Sequence, residues 1–177
     1  VRHMNFLPYH WKGYQCNVLA NYIMEHDFDS YMAQLNKNKK REYNKLISLI
    51  DAGELELLNE VDEKDFLDLF TKTSERSGFK ADLNALIGLF RNKEKFPCKV
   101  LAVKSKKFGL ISVGFFPYDD TTVYNVINAS LRVDDPILKT VNLLLLVKGI
   151  KFALENGKIF DFEGSMLQGV SSFYELM

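Results

Sequence analysis

Two acidic residues near the end of the chain, Asp161 and Glu163, are the residues of this sequence best suited to proton transfer. They occur in the segment KIFDFEG (158–164), whose alternation of apolar and polar residues predicts a β-strand. On one face of a strand their carboxyl groups would lie about 7 Å apart. Two acids on an interior strand raise one pKa, which suits a general base or acid. Alternatively, both acids cap nearby backbone or pair with the basic residues at 37–41.

A second group of polar residues ends the segment TTVYNVINA (121–129), which is apolar enough to be a central strand. Asn125 and Asn128 fall on opposite faces of a strand with a two-residue period, and a buried amide needs hydrogen-bond partners. One interpretation is that these amides are structural. The other places Asn128 and Ser130 in a ligand site, because ligands of open α/β sheets bind at the carboxyl ends of strands.

A helix that starts near Pro136 follows this strand, with Asp134 or Asp135 as its N-cap and the proline in its first turn. Its free N–H groups would face the carboxyl end of the strand and bind an anion with help from Arg132 or Lys139. The alternative is an ordinary capped helix without a ligand.

Four of the 23 basic residues lie within five consecutive positions: Lys37, Lys39, Lys40 and Arg41. Such a run usually forms a solvated face. Here it interrupts an apolar helical stripe, since a continuous helix would put Lys39 in line with Leu35 and Tyr43. The sequence therefore predicts either a helix break or a face that meets something polar, such as an anionic ligand.

The composition disfavours several classes of protein. The 177 residues carry 23 basic and 23 acidic side chains, and this zero net charge argues against a generic nucleic-acid binder and predicts no DNA partner. No run of 18 or more apolar residues occurs, so we expect no membrane span. The 2 cysteines form no disulfide framework, which is typical of reduced thiols in the cytoplasm. The 3 histidines lack metal-ligand spacing, and no nucleophile-elbow or phosphate-loop motif occurs.

The elements that must position these residues form one mixed α+β domain over residues 1–177. Residue spacing predicts, in chain order, a strand at 14–24, helical segments at 28–35 and 43–50, a strand at 54–60, helices capped by Asp62 and Asp82, strands at 98–104, 108–116 and 121–129, a helix at 137–156, a strand at 158–164 and a helical piece at 169–177. A right-handed crossover through the long helix would make 121–129 and 158–163 parallel neighbours.

Five stretches follow one another in a familiar order: FLPYHWKGYQ (6–15), NKNKKREYNKL (36–46), VYNVINAS (123–130), LLLLVKGIKFALENGKIFDFEGSM (143–166) and GVSSFYEL (169–176). Together they resemble the FemAB-like branch of the GNAT acyltransferase superfamily. The stretch FDFEGSM, with the GV and phenylalanine that follow it, is the most specific part of a resemblance that covers nearly the whole chain.

The resemblance implies a GNAT-like fold, in which a central, mostly antiparallel sheet flanked by helices splays apart. The acyl donor, acyl-CoA or an aminoacyl-tRNA, would lie in the opening between 121–129 and 158–163. An acyl group would pass to an amine of a small molecule or peptide without a metal, and Glu163 or Asp161 would be the base. The donor-binding residues would be Asn128, Ser130, Arg132, Lys139 and Thr140, and the substrate-binding residues Trp11, Lys37, Lys39, Lys40, Arg41, Tyr124 and Ser165.

Departures from the family keep other hypotheses open. Residues 131–140 (LRVDDPILKT) lack the glycines of the usual acyl-CoA loop, so the chain could be a non-catalytic GNAT-like module that docks a partner or dimerises through the apolar helix at 137–156. An RNA-contacting protein is a third hypothesis, which would need the basic cluster at 36–42 to join other basic residues in one patch. The chain begins at Val1 rather than Met and stops where family members continue, so we expect a fragment of a longer chain.

Overall fold

The computed structural model describes residues 23–25, 27–77, 82–163 and 177. In this part of the chain, strands and helices follow one another in nearly the predicted order. They are β1 (Ile23–Met24), α1 (Phe28–Gln34), α2 (Lys37–Asp51), β2 (Leu55–Leu58), α3 (Glu63–Ser77), α4 (Leu83–Arg91), β3 (Cys98–Ser105), β4 (Gly109–Pro117), β5 (Thr122–Tyr124), β6 (Ile127–Ser130), α5 (Val141–Glu155) and β7 (Ile159–Asp161), with short 3₁₀ turns at Lys93–Lys95 and Leu138–Thr140. The predicted helical piece at 169–177 and most of the strand at 14–24 lie outside the described residues.

The first two helices are separated where the apolar spacing stops. Asp27 caps α1, because its Oδ1 accepts the Ser30 N–H at 2.9 Å. The helix ends at Leu35, whose ψ of 132° is extended, and the Asn36 side chain then caps α2 by accepting the Asn38 N–H at 3.0 Å. Of the two alternatives that the sequence left open, the helix break is therefore correct, and the basic run belongs to the first turns of α2.

The strands form two sheets. Four of them make an antiparallel sheet in the order β2-β3-β4-β6, and three make a smaller sheet in the order β1-β7-β5. The pairing of β5 with β7 is parallel, as expected for 121–129 and 158–163. The prediction of one strand over 121–129 is wrong, because the chain leaves the small sheet after Tyr124 and joins the large one at Ile127.

Helices cover both faces of the large sheet, because β3 and β4 carry apolar side chains on both. One core lies beneath α1, α2 and α5, and its most deeply buried members include Leu46, Val103, Ile111, Phe116, Leu144 and Ile150. The second core lies beneath α3 and α4 and includes Phe66, Phe90, Val113, Phe115 and Ala129. The two cores lie on opposite faces of the four-stranded sheet, to which β6 belongs.

The most apolar helix, α5, is covered by the rest of the chain. Its run Val141–Val147 is buried throughout except at Asn142. The hypothesis that a partner or a second copy docks on the apolar face of this helix is therefore wrong, because the sheet and its neighbouring helices already occupy that face. No helix within the described ranges is both long and apolar enough to cross a bilayer.

Candidate active site at the divergence of two strands

The neighbouring strands β5 and β7 part at Tyr124 and Asp161. Their parallel pairing runs from Thr122 opposite Ile159 to Tyr124 opposite Asp161, and the Asn125 N–H adds one bond of 2.8 Å to the Asp161 carbonyl. Beyond this point β6 pairs with β4 instead, whereas β7 ends. Residues 126–130 and 161–163 therefore border a divergence of the two strands, which we call the splay.

The two predicted catalytic carboxylates lie at the point where the strands part, but they do not share a strand face. Asp161 is the last residue of β7 and is half-buried, whereas Glu163 is exposed. The Glu163 N–H donates a 2.7 Å hydrogen bond to Asp161 Oδ1, and Glu163 has a φ of 59°. A left-handed conformation costs a non-glycine residue about 1–2 kcal/mol. The chain therefore turns after Asp161, and the expected extended arrangement of the two acids is wrong.

Glu163 is electrostatically suited to accept a proton. Although the residue as a whole is exposed, partial desolvation of its carboxyl group raises the pKa of Glu163 above the usual glutamate value, and the neighbouring charge of Asp161 raises it further. A carboxylate with a raised pKa takes up a proton more readily than an ordinary glutamate does. The role of Asp161 in this geometry is to hold the turn and to act on Glu163 through its charge.

Two asparagine amides meet beside the splay. Asn125 is buried and Asn128 is half-buried, and the Asn128 Nδ2 donates to the Asn125 Oδ1. The expectation that the two lie on opposite faces is wrong, because the break between β5 and β6 disrupts the two-residue alternation. The Asn128 Oδ1 is buried and has no hydrogen-bond partner among the described residues. This oxygen is a buried acceptor whose hydrogen-bonding capacity the described residues leave unused.

Ser130 ties three elements together at the end of β6. Its carbonyl accepts hydrogen bonds from Thr73 Oγ1 at 3.1 Å and Arg76 Nη1 at 2.9 Å, both on α3. Its hydroxyl accepts one from Asn142 Nδ2 at 3.2 Å, at the start of α5. Asn142 Oδ1 in turn accepts the Ser112 hydroxyl proton at 2.6 Å from β4. Ser112 and Asn142 were missed from the sequence, where only their polarity within apolar segments marked them.

The segment before α5 uses its own carboxylate as a cap. Asp135 Oδ1 accepts the N–H groups of Ile137 at 2.8 Å and Leu138 at 2.9 Å, and these bonds lower the pKa of Asp135. The α-helix begins at Val141 after a 3₁₀ turn, later than expected from Pro136. The N–H groups of Ile137 and Leu138, which we expected to bind an anion, are therefore already hydrogen-bonded to Asp135.

The other predicted donor-binding residues surround this turn. Arg132 is exposed, and the Lys139 ammonium lies 3.5 Å from Asp134. The Thr140 hydroxyl donates to the Ile137 carbonyl at 2.7 Å. Arg132, unlike Lys139, has no carboxylate within 4.0 Å among the described residues, and the donor-binding role of all three residues stays a prediction.

Tyr124, a predicted substrate-binding residue, contributes to a turn. Its hydroxyl donates to Asp119 Oδ2 at 2.7 Å. The other oxygen of Asp119 accepts the N–H groups of Thr121 at 2.7 Å and Thr122 at 2.8 Å. Backbone and hydroxyl donors together lower the pKa of Asp119 to about 2. The phenol of Tyr124 therefore stabilises the turn that precedes β5.

The basic run divides into two parts. Lys37, Lys40 and Arg41 are exposed and line an open depression of about 460 Å³ on α2 together with Asn38, Asn44, Lys45 and Ser48. Lys39 points elsewhere, because its side chain is only 16% exposed and its ammonium lies 3.0 Å from Glu42. The structure thus groups three of the four predicted cations on one surface and adds Lys45 to them.

Two predicted site residues, Trp11 and Ser165, lie outside the described residues. In the described ranges no group of three His, Cys, Asp or Glu side chains could hold a metal ion. Burial raises the pKa of the half-buried Cys98 thiol to about 11, so at neutral pH this cysteine is a poor nucleophile.

Comparison with solved structures places this arrangement in a known fold. The crystal structure of FemX matches 90% of this chain with a TM-score of 0.70 and 15% sequence identity. A conserved protein of unknown function from Bacteroides thetaiotaomicron VPI-5482 matches 89% of it with a TM-score of 0.65 and 14% identity. The chain covers 58% and 55% of the lengths of these two proteins. No protein-family model and no curated protein sequence matches the chain. The predicted fold class is confirmed, and the chain has a mixed α+β, GNAT-like fold similar to that of FemX.

Proposed function

We propose that this chain is an acyltransferase domain that transfers an acyl or aminoacyl group to an amine. One observation carries the proposal: β5–β6 and β7 diverge at Asp161 in a FemX-like fold, and Glu163 lies at that divergence. In the acyltransferases that the sequence resembles, the acyl donor lies where the central strands part. A carboxylate with a raised pKa beside that opening is the group that the reaction needs.

The proposed reaction is a displacement at the acyl carbon. The neutral amine attacks, a carbon–nitrogen bond forms, and the bond from the acyl carbon to the sulfur or oxygen of the donor breaks. Glu163 takes the proton that the amine loses, directly or through one water, and the departing thiol or hydroxyl is protonated in turn. Those backbone N–H groups at the end of 121–129 that are not bonded to β4 would stabilise the oxyanion of the tetrahedral intermediate.

Acyl-CoA and an aminoacyl-tRNA are the two proposed donors. The unpaired Asn128 Oδ1 supports a donor or acceptor with an amide or amine N–H near β6. Since Asp135 already caps the N–H groups before α5, a donor phosphate would depend on Arg132, assisted by Lys139 and Thr140. The acceptor would be a small molecule or a peptide with a free amine, and a cytoplasmic location and a homodimer stay predictions from the sequence.

Transfer to a panel of amines tests the proposal. The 177-residue chain would be incubated with acetyl-CoA or alanyl-tRNA and with free lysine, hexosamines and alanine-rich peptides, and products would be identified by mass spectrometry. We expect one donor to give an amide product, and Glu163→Gln to lower kcat about 10²–10⁴-fold. Glu60→Gln, which changes an exposed carboxylate on another part of the surface, is the matched control. Tight donor binding with unchanged turnover in Glu163→Gln would remove Glu163 from the mechanism.

A further inference from the structure

The strand β6 pairs with another strand along one edge only. Its register places Ser130 opposite Ser112 on β4. One step further along, the Leu131 N–H donates to the Ile111 carbonyl at 2.9 Å. Opposed residues of an antiparallel pair alternate between hydrogen-bonded and non-bonded pairs. The backbone groups of Leu131 therefore turn towards β4, whereas those of Asn128 and Ser130 turn to the other edge, which borders the splay.

At Ser130 the end of α3 takes the place of a neighbouring strand. The Ser130 N–H donates to Thr73 Oγ1 at 3.1 Å. The Ser130 carbonyl accepts Arg76 Nη1 at 2.9 Å, and it shares the proton of Thr73 Oγ1 with the Leu69 carbonyl. Since residues three apart lie on the same face of a helix, Thr73 and Arg76 reach the edge of β6 together. Both outward-facing backbone groups of Ser130 are thus held by side chains.

Asn128 lies two residues earlier on the same edge and is not held in this way. Its outward-facing N–H has no partner in the described ranges of the chain. Within β6 it is therefore the N–H that can donate to an oxyanion formed in the splay. Each residue of a chain has only two soft dihedral angles, so fixing the backbone of Ser130 also restricts the direction of the Asn128 N–H.

The two side chains contribute little to the packing of their own helix. Phe66 and Phe70 anchor α3 in the second core, whereas Thr73 is half-buried and Arg76 is exposed. In the described part of the chain, Arg76 also has no carboxylate within 4.0 Å. Their hydrogen bonds link the helix to the free edge of β6. Loss of these bonds should therefore displace the edge and leave the helix folded.

We infer that Thr73 and Arg76 are positioning residues, which hold the end of β6 so that the Asn128 N–H is directed into the splay. The inference rests on the proposed function, because the oxyanion forms only in that reaction. Neither residue has to touch the donor or the acceptor. A misplacement of about 1 Å caused far from the reacting atoms can lower a rate about 10²-fold. Weaker support for β6 should therefore lower kcat rather than the affinity for the donor.

Kinetics of two matched double variants test this role in the transfer assay. Thr73→Val/Arg76→Met keeps the approximate size of both side chains and removes their hydrogen-bonding groups. We expect it to lower kcat about 10–100-fold and to leave the KM of the donor within about twofold of the wild type. Thr71→Val/Lys72→Met is the control, because it removes a hydroxyl and a cation of the same helix that do not bond to Ser130, and it should keep the wild-type kcat. Thr73→Ser, which keeps the hydroxyl, should retain most of the activity.

Amide hydrogen exchange separates positioning from a general loss of structure. In Thr73→Val/Arg76→Met the Ser130 N–H has lost its acceptor and should exchange at least about tenfold faster, whereas the Leu131 N–H should keep its rate. If the wild-type chain forms no product with either donor, the proposed function fails and the inference fails with it. If the wild type transfers and the double variant keeps its kcat, or the control loses as much, the positioning role alone is overturned. Faster exchange of the Leu131 N–H would overturn it as well, because the lost activity would then come from unfolding of β6.

Discussion

The backbone N–H of Glu163 donates a 2.7 Å hydrogen bond to Oδ1 of Asp161, and this bond links the end of β7 to the proposed catalytic base. One carboxylate thus positions the backbone of the other, and its charge adds to the rise in the pKa of Glu163 that partial desolvation causes. In the proposed mechanism one turn gives these two acids distinct roles, because Asp161 positions the backbone and Glu163 exchanges protons.

The pH dependence of transfer should report the titration of Glu163. A general base must be deprotonated, so kcat/KM should rise with pH through a pKa that lies above the usual glutamate value, because burial and then Asp161 raise it. In Glu163→Gln the limb at this pKa should vanish along with most of the activity, and only the limb at higher pH that comes from deprotonation of the substrate amine should remain. A profile measured with the product-forming donor over pH 4–9 checks this, and a limb at the same acidic pKa in the variant would assign it to another group.

Substitutions at Asp161 should separate its charge from its hydrogen bond. Asp161→Asn keeps an acceptor oxygen for the Glu163 N–H but removes the charge, so the pKa of Glu163 should fall and the limb should move to lower pH. Asp161→Leu removes the acceptor as well and should lower the free energy of unfolding by about 1 kcal/mol. Urea titrations and pH–rate profiles of both variants are the measurements. An unmoved limb in Asp161→Asn would contradict the proposed electrostatic coupling.

Local patterns predicted the elements well and the crossover rule predicted the parallel pairing of β5 with β7, but neither predicted that the strands form two sheets. The cap at Asp82 and the break before α2 were predictable because capping side chains and apolar spacing act within a few residues. The division of 121–129 into β5 and β6 was not, because alternation is the same whichever sheet a strand joins. Pairing depends on partners distant in the chain.

The same limit applies to the candidate site. Spacing identified Asp161 and Glu163, but no glycine marked the turn between them, since the left-handed residue is Glu163 itself. The hydrogen bond between Asn142 and Ser130 could not be predicted from the sequence either. A single polar residue in the apolar run of α5 does not show which strand it will meet.

Asp119 should stabilise the entry to β5 in a pH-dependent way. Hydrogen bonds from Thr121, Thr122 and Tyr124 lower its pKa from 3.8 to about 2, so its stabilising contribution is complete above pH 3.8 and is lost as the pH falls through about 2. Asp119→Ala should therefore lower the Tm at pH 7, and the difference from the wild type should shrink between pH 4 and pH 2. Asp120→Ala, one residue away and equally exposed, is the control. A difference that stays constant over this range would show that the carboxylate is not the source.

Two glycine-to-alanine substitutions should change stability in opposite directions. At Gly114, on β4, a new Cβ would lie 2.5 Å from the buried ring of Phe116, which is enclosed by core residues and cannot move aside without cost. Gly114→Ala should therefore lower the free energy of unfolding by about 1–3 kcal/mol. At Gly88, within α4, a new Cβ meets nothing within 4 Å, so Gly88→Ala should raise it by about 1 kcal/mol through helix propensity. Urea unfolding monitored by circular dichroism measures both changes, and a neutral Gly114→Ala would mean that the core between β4 and α5 can repack.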